Sequence, residues 1–153
     1  MKSQSVPTNR DLYGVNFMRR FFNLFGKIKS FEIVTLHISG MMPQVTEYEI
    51  VKSGGNAEIS QYAVEYNNGE KVRQLQKSAV CSAEDALEMM NKCRLILWDG
   101  FRGKRPAGVK DGTDFTFKAT VNKGKEIYAV GSQRFPKHYG DFTVWLRETL
   151  NGK

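Results

Sequence analysis

The side chains best suited to chemistry in this 153-residue chain are His37, His138, Cys81, Cys93, Asp99, Asp111 and Asp114, and their spacing argues against a reaction centre. His37 lies inside an alternating apolar run, where a hydrogen-bonded structural role is expected. His138 follows Lys137 at the start of a helical pattern, an exposed position. No Cys/His spacing fits a zinc site. Cys81 would need a histidine beside it to act as a thiolate nucleophile, and nothing in the sequence puts one there. Asp99-Gly100 and Asp111-Gly112 read as turns, because aspartate bonds its own backbone and glycine supplies positive φ. Gly100, Gly103, Gly108 and Gly112 match neither a Walker nor a dinucleotide spacing. One enzymatic arrangement is left, with Asp99, Asp111 and His138 around a cleft, and it requires all three to reach a common point. The expectation is a non-enzymatic protein with no metal and no cofactor.

Charge is the stronger signal. The chain holds 23 Lys and Arg against 16 Asp and Glu, a net +7, which suits nucleic acid, an anionic surface or an acidic protein face without choosing among them. The excess sits in two places. Residues 1–30 carry Lys2, Arg10, Arg19, Arg20, Lys27 and Lys29 against Asp11, and residues 100–110 carry Arg102, Lys104, Arg105 and Lys110 with no acid. The second stretch contains Gly103, Pro106 and Gly108, so it reads as a loop able to present arginine to phosphates or carboxylates, with Trp98 and Phe101 near enough to stack. Arg134 joins these as a binding candidate, in a shallow site with Asp111, Ser132 and Trp98. Arg19, Arg20, Lys27 and Lys29 are candidates for nucleic-acid or membrane contacts. No helix-turn-helix, RNP-type or zinc-finger pattern accompanies them.

The elements that must position these residues follow from periodicity. Residues 1–10 are polar and expected to be a flexible N-terminus, followed by a single α+β domain over 11–153. A helix over 11–26 buries Leu12, Val15, Met18, Phe22 and Phe25 on one stripe and could be separable, docking on the sheet, on a partner or on a membrane. Phe31–Ser39 alternates as a strand, and strands are expected around Thr46–Ile50, around Tyr62–Tyr66 and from about Glu70 to Gln76, joined by Ser53-Gly54-Gly55-Asn56 and Asn67-Asn68-Gly69. The last of these is polar and reads as a charge-protected edge. Ser82 caps a helix that carries Ala86, Met89, Met90, Cys93 and Leu97 on one face and ends at Asp99-Gly100. Were Cys81 and Cys93 both on that helix, ~18 Å would separate them, too far for a disulfide. Phe115, Phe117, Ala119 and Val121 alternate with Thr116, Lys118 and Thr120, which predicts a hairpin with one buried face. A closing helix over 137–150 buries Tyr139, Phe142, Trp145, Leu146 and Leu150. The fold class is α+β, with a mostly antiparallel sheet of about five to six strands, two or three helices, and one face covered by helices.

No apolar run reaches the ~18 residues of a membrane span, and the polar first fifteen residues lack a secretory h-region. A cytoplasmic location is expected.

The C-terminal third resembles small uncharacterised bacterial proteins in which a Trp-bearing helix end leads to Asp-Gly, a hairpin, a Gly-Ser-x-x-x-Pro run and an amphipathic helix. The matching residues here are Trp98, Gly100, Phe101, Asp111, Gly112, Phe115, Gly131, Ser132, Pro136, Tyr139 and Phe142; Gln133 stands where that pattern often has Asn. The resemblance implies shared architecture and a bacterial or phage source, and no activity. The sequence therefore points to a non-catalytic interaction protein that binds another protein through the basic loop. The rival is electrostatic binding of nucleic acid or an anionic surface, as an inhibitor of a host system would use.

Overall fold

A computed structural model describes residues 26–40, 45–108 and 112–153; the helix expected over 11–26 falls almost wholly outside them. Seven strands, β1 Phe31–Ser39, β2 Val45–Ser53, β3 Asn56–Asn67, β4 Glu70–Ser82, β5 Arg102–Gly103, β6 Asp114–Val121 and β7 Lys125–Ser132, form one sheet in the order β4-β3-β2-β1-β6-β7-β5. Every pairing is antiparallel except β5 with β7. Two helices are described, α1 Ala83–Lys92 and α2 Tyr139–Leu150, with a short 3-10 helix at Leu95–Trp98. The α+β class holds, with more strands than the sequence suggested.

Alternation decides which face each strand buries. On β6, Phe115, Phe117, Ala119 and Val121 are buried while Lys118 between them is exposed. Register carries the same face across the sheet through Val34 and Leu36 of β1, Tyr48 and Ile50 of β2, and Ala57 and Ile59 of β3. The helices contribute Ala86, Met90, Phe142 and Leu146 to this layer. Trp98 sits at its centre, its ring 4.8 Å from Phe117 and 5.7 Å from Phe142 at steep angles. Burying side chains of this size stabilises the fold by about 2–3 kcal/mol each.

Local signals set the helix ends. Ser82 Oγ accepts the Asp85 N–H at 3.0 Å, and Glu84 and Asp85 occupy the first turn, as the sequence reading expected. That helix stops six residues early. Arg94 adopts φ 55° and turns the chain into the 3-10 helix, which buries Leu95, Ile96 and Trp98 and leaves Leu97 40% exposed. The last helix begins at Tyr139 rather than 137, because His138 takes a left-handed conformation and Tyr139 N–H bonds Pro136 C=O. Cys81 belongs to β4 and Cys93 caps α1; both thiols are free.

The face opposite the two helices, helix-free among the described residues, carries an ionic network. Glu47 is buried on β2, and Lys71 Nζ of β4 lies 2.9 Å from its Oε2. Arg73 reaches Glu49 at 3.2 Å while its guanidinium lies 3.7 Å above the Tyr62 ring of β3. These side chains fasten β4 to β2 across β3, where a bulge at Gln76 shifts the register.

Candidate binding site at the basic corner

The basic loop begins where the 3-10 helix meets the free edge of β7. Asp99-Gly100 turns the chain outward. Asp99 Oδ1 accepts the Tyr128 N–H at 3.2 Å, Gly100 N–H donates to Tyr128 C=O at 2.9 Å, and Val130 N–H donates to Phe101 C=O at 3.1 Å. Arg102 and Gly103 then run parallel to Val130 and Gly131. Phe101 turns inward and lies 6.1 Å from the Phe115 ring, so by alternation Arg102 points to the helix-free side.

Two glycines let this edge close. A Cβ at Gly103 would lie 2.7 Å from the Arg134 carbonyl oxygen, and one at Gly131 would collide with the same oxygen and with the Phe115 ring. The return from β7 fits this space because Gln133 takes φ 57°, its N–H bonding Thr113 C=O at 2.9 Å. Beyond it, Phe135 stacks on Tyr139 with 4.5 Å between centroids.

The loop is tied to the start of β6. Arg105 Nε donates to Ser132 Oγ at 2.8 Å and Nη2 lies 3.3 Å from Asp114 Oδ1; Ser132 Oγ also donates to Asp114. The contact is partly exposed and so individually worth little. Its consequence is positional: the loop is held to the hairpin at its start by the β5–β7 pairing and again at Arg105.

The sequence-selected residues divide accordingly. Arg102, Lys104 and Arg134 are exposed at this corner, and the Gly103–Arg134 contact gathers them around one edge of the sheet. Arg105 is committed to Asp114 and Ser132. Phe101 is half-buried. Trp98 is 2% exposed and its indole N–H donates to Lys137 C=O at 3.0 Å, so it is a core residue; a ring enclosed this way has no surface to stack on a ligand. Lys110, Asp111, Arg19 and Arg20 lie outside the described residues.

Lys27 and Lys29 are described, and they lie elsewhere. Their backbone is held by Asn122, whose Nδ2 donates to Lys27 C=O at 3.0 Å and whose Oδ1 accepts Lys29 N–H at 2.6 Å, at the β6–β7 turn. Ile28 is held on the other side by paired 2.9 Å bonds to Asn91. The turn is the far end of β7 from Arg102, five residues of strand or ~17 Å away. Among the described residues the two basic stretches therefore occupy opposite ends of the hairpin.

The candidate acid–base groups serve local contacts. Asp99 holds the Tyr128 N–H, and His138 Nδ1 lies 3.1 Å from Asp141 Oδ2 in the first turn of α2. His37 stands opposite Glu47 on β2, and burial lowers its pKa from the ordinary value of 6.5. Burial pushes the Cys93 thiol up to about 11 and the Tyr139 phenol up to about 12, which leaves both protonated and unreactive. No group of three or more His, Cys, Asp or Glu among the described residues is arranged to hold a metal ion, and no described helix is long and apolar enough to cross a membrane.

Two surface depressions lie away from the corner. One, of about 490 Å³, is on the helix-free face between Ile33, Thr35, Lys118, Thr120, Glu126 and Tyr128. The other, of about 480 Å³, lies at the β6–β7 turn end beside Ser30, Lys52, Gly54 and Lys123. Sequence reasoning missed the Arg105–Asp114–Ser132 contact, whose members are separated by up to 27 residues with no shared periodicity. No protein-family model, no curated protein and no solved structure matches the chain.

Proposed function

We propose that this chain is a non-catalytic binding protein that docks another protein through the basic corner. The observation that supports it best is the exposure of Arg102, Lys104 and Arg134 around the Gly103–Arg134 contact, on backbone fixed to β7 and to the hairpin. Cations on a rigid frame lose little freedom on binding and favour a partner with an acidic surface. The bacterial or phage source implied by the sequence resemblance is compatible with such a role.

The test is a matched capture from native lysate with the wild-type chain and with an Arg102→Glu, Lys104→Glu, Arg134→Glu variant, at low and moderate salt. A stoichiometric protein partner held by the wild type and lost by the variant is expected. Recovery of no stoichiometric partner, or an unchanged one on the variant, refutes the reading.

Electrostatic binding of nucleic acid or an anionic surface is the second reading, motivated by the net +7. The separation of Lys27 and Lys29 from Arg102 argues against one continuous basic track. A mobility shift with mixed DNA and RNA that weakens steeply with salt would favour it; unchanged migration at low salt would remove it.

A further inference from the structure

The long free edge of the sheet is independent of the basic corner and goes beyond the reading above. β4 spans thirteen residues at the end of the strand order, and no described strand lies beside its outer side. Edges of this length usually carry bulges and charges that discourage further pairing. In β4 these devices end at Lys77. Lys71 and Arg73 are bound to Glu47 and Glu49, and the bulge falls at Gln76.

The second half is different. Ser78-Ala79-Val80-Cys81-Ser82 contains no charge, stays in regular register with β3 from Asn56 to Ser60, and leaves Val80 65% exposed on the helix-free face. We propose that this segment pairs antiparallel with the same segment of a second copy, about a two-fold axis at Val80, so that two sheets become one.

Charge favours self-pairing in the second half of the strand over self-pairing in the first. Centring on Val80 places Val80 opposite Val80, Ala79 opposite Cys81 and Ser78 opposite Ser82, with no like charges facing one another. It also sets Lys77, whose Nζ donates to Asn151 Oδ1 at 2.7 Å within its own copy, beside the acidic first turn of the second copy's α1, where the flexible ammonium can exchange that amide oxygen for the Glu84 carboxylate, twice by symmetry. Registers centred on residues 71, 72 or 73 instead oppose Lys71 to Lys71, Lys71 to Arg73, or Arg73 to Arg73. Five paired residues a side make a small interface, so the dimer is weak and dependent on concentration.

Sedimentation of the full chain from low micromolar to near-millimolar concentration tests this, with amide exchange followed over Ser78–Ser82. A monomer–dimer equilibrium is expected, with these amides slowing as the dimer fills. Val80→Lys, which sets two ammonium groups face to face, should weaken association roughly tenfold or more while thermal unfolding stays close to wild type. Glu84→Lys should also weaken it, and adding Lys77→Glu should restore it. A monomer at every concentration overturns the proposal, as does a dimer indifferent to Val80→Lys. Protection of these amides only on adding an extended peptide of another sequence would assign the edge to a foreign strand and equally overturn it. None of these outcomes depends on Arg102, Lys104 or Arg134, so the two readings fail separately.

Discussion

At one edge of the sheet, β7 has its outward groups taken by the Asp99 carboxylate, by Gly100 and Phe101, and by a strand of only two residues. At the other, β4 runs for thirteen residues with no described strand beyond it. The closed edge depends on irregular backbone: turns at Asp99-Gly100, a left-handed Gln133 and two glycines that admit the Arg134 carbonyl. The open edge depends on side chains that reach across β3 to Glu47 and Glu49. Closure by backbone is compact and intolerant of added atoms, whereas attachment by charged side chains is tolerant and leaves the hydrogen-bonding edge available.

Substitutions should expose that contrast. The largest effect is expected at Gly131, where a methyl group meets the Arg134 carbonyl and the Phe115 ring together. Gly131→Ala should lose roughly 3 kcal/mol in urea unfolding; a loss below about 1 kcal/mol would mean that the closed edge yields easily. On the open side, Glu47→Ala strands Lys71 and relaxes Arg73. Because Lys71 is 41% exposed and Arg73 33%, water compensates part of the loss, and about 1–2 kcal/mol is expected. Amide exchange should quicken along β4 and leave β7 unchanged. Asp99→Ala removes the acceptor of the Tyr128 N–H; about 1 kcal/mol and faster exchange at Tyr128 are expected, with no change along β4.

The smallest effect is a pH dependence at His37. Burial holds its folded-state pKa below the ordinary 6.5; Glu47 pulls it back up and Lys71 lowers it further. The unfolded chain therefore takes up the proton first. The stability this group contributes is complete above pH ~6.5 and declines as pH falls from there through the folded value. His37→Gln should flatten that decline in unfolding curves between neutral and mildly acid pH; an identical slope would assign it to other groups.

How much of this was legible in the sequence depends on whether the cause was local. The alternation of Phe115, Phe117, Ala119 and Val121, the Ser82 cap and the Asn68-Gly69 turn act over two to four residues, and all appear as read. The break at Arg94 has no glycine to announce it, and β5 is too short to show a period. β4 was expected to run only from about Glu70 to Gln76. In the fold the bulge absorbs one residue and the strand continues to Ser82, so alternation resumes in the opposite phase. At the candidate site, the exposure of Arg102, Lys104 and Arg134 was readable from composition. The burial of Trp98 and the commitment of Arg105 to Asp114 were not, since both are settled by chain segments brought together from a distance.

Amide exchange in dilute solution compares the two edges within one experiment. The Tyr128 and Val130 amides, bonded to Asp99 and Phe101, should be protected, while the outward-facing amides of β4 exchange fast before any association sets in. Equal protection of the two edges at the lowest concentration, or faster exchange at Tyr128 and Val130 than along β4, would contradict the account.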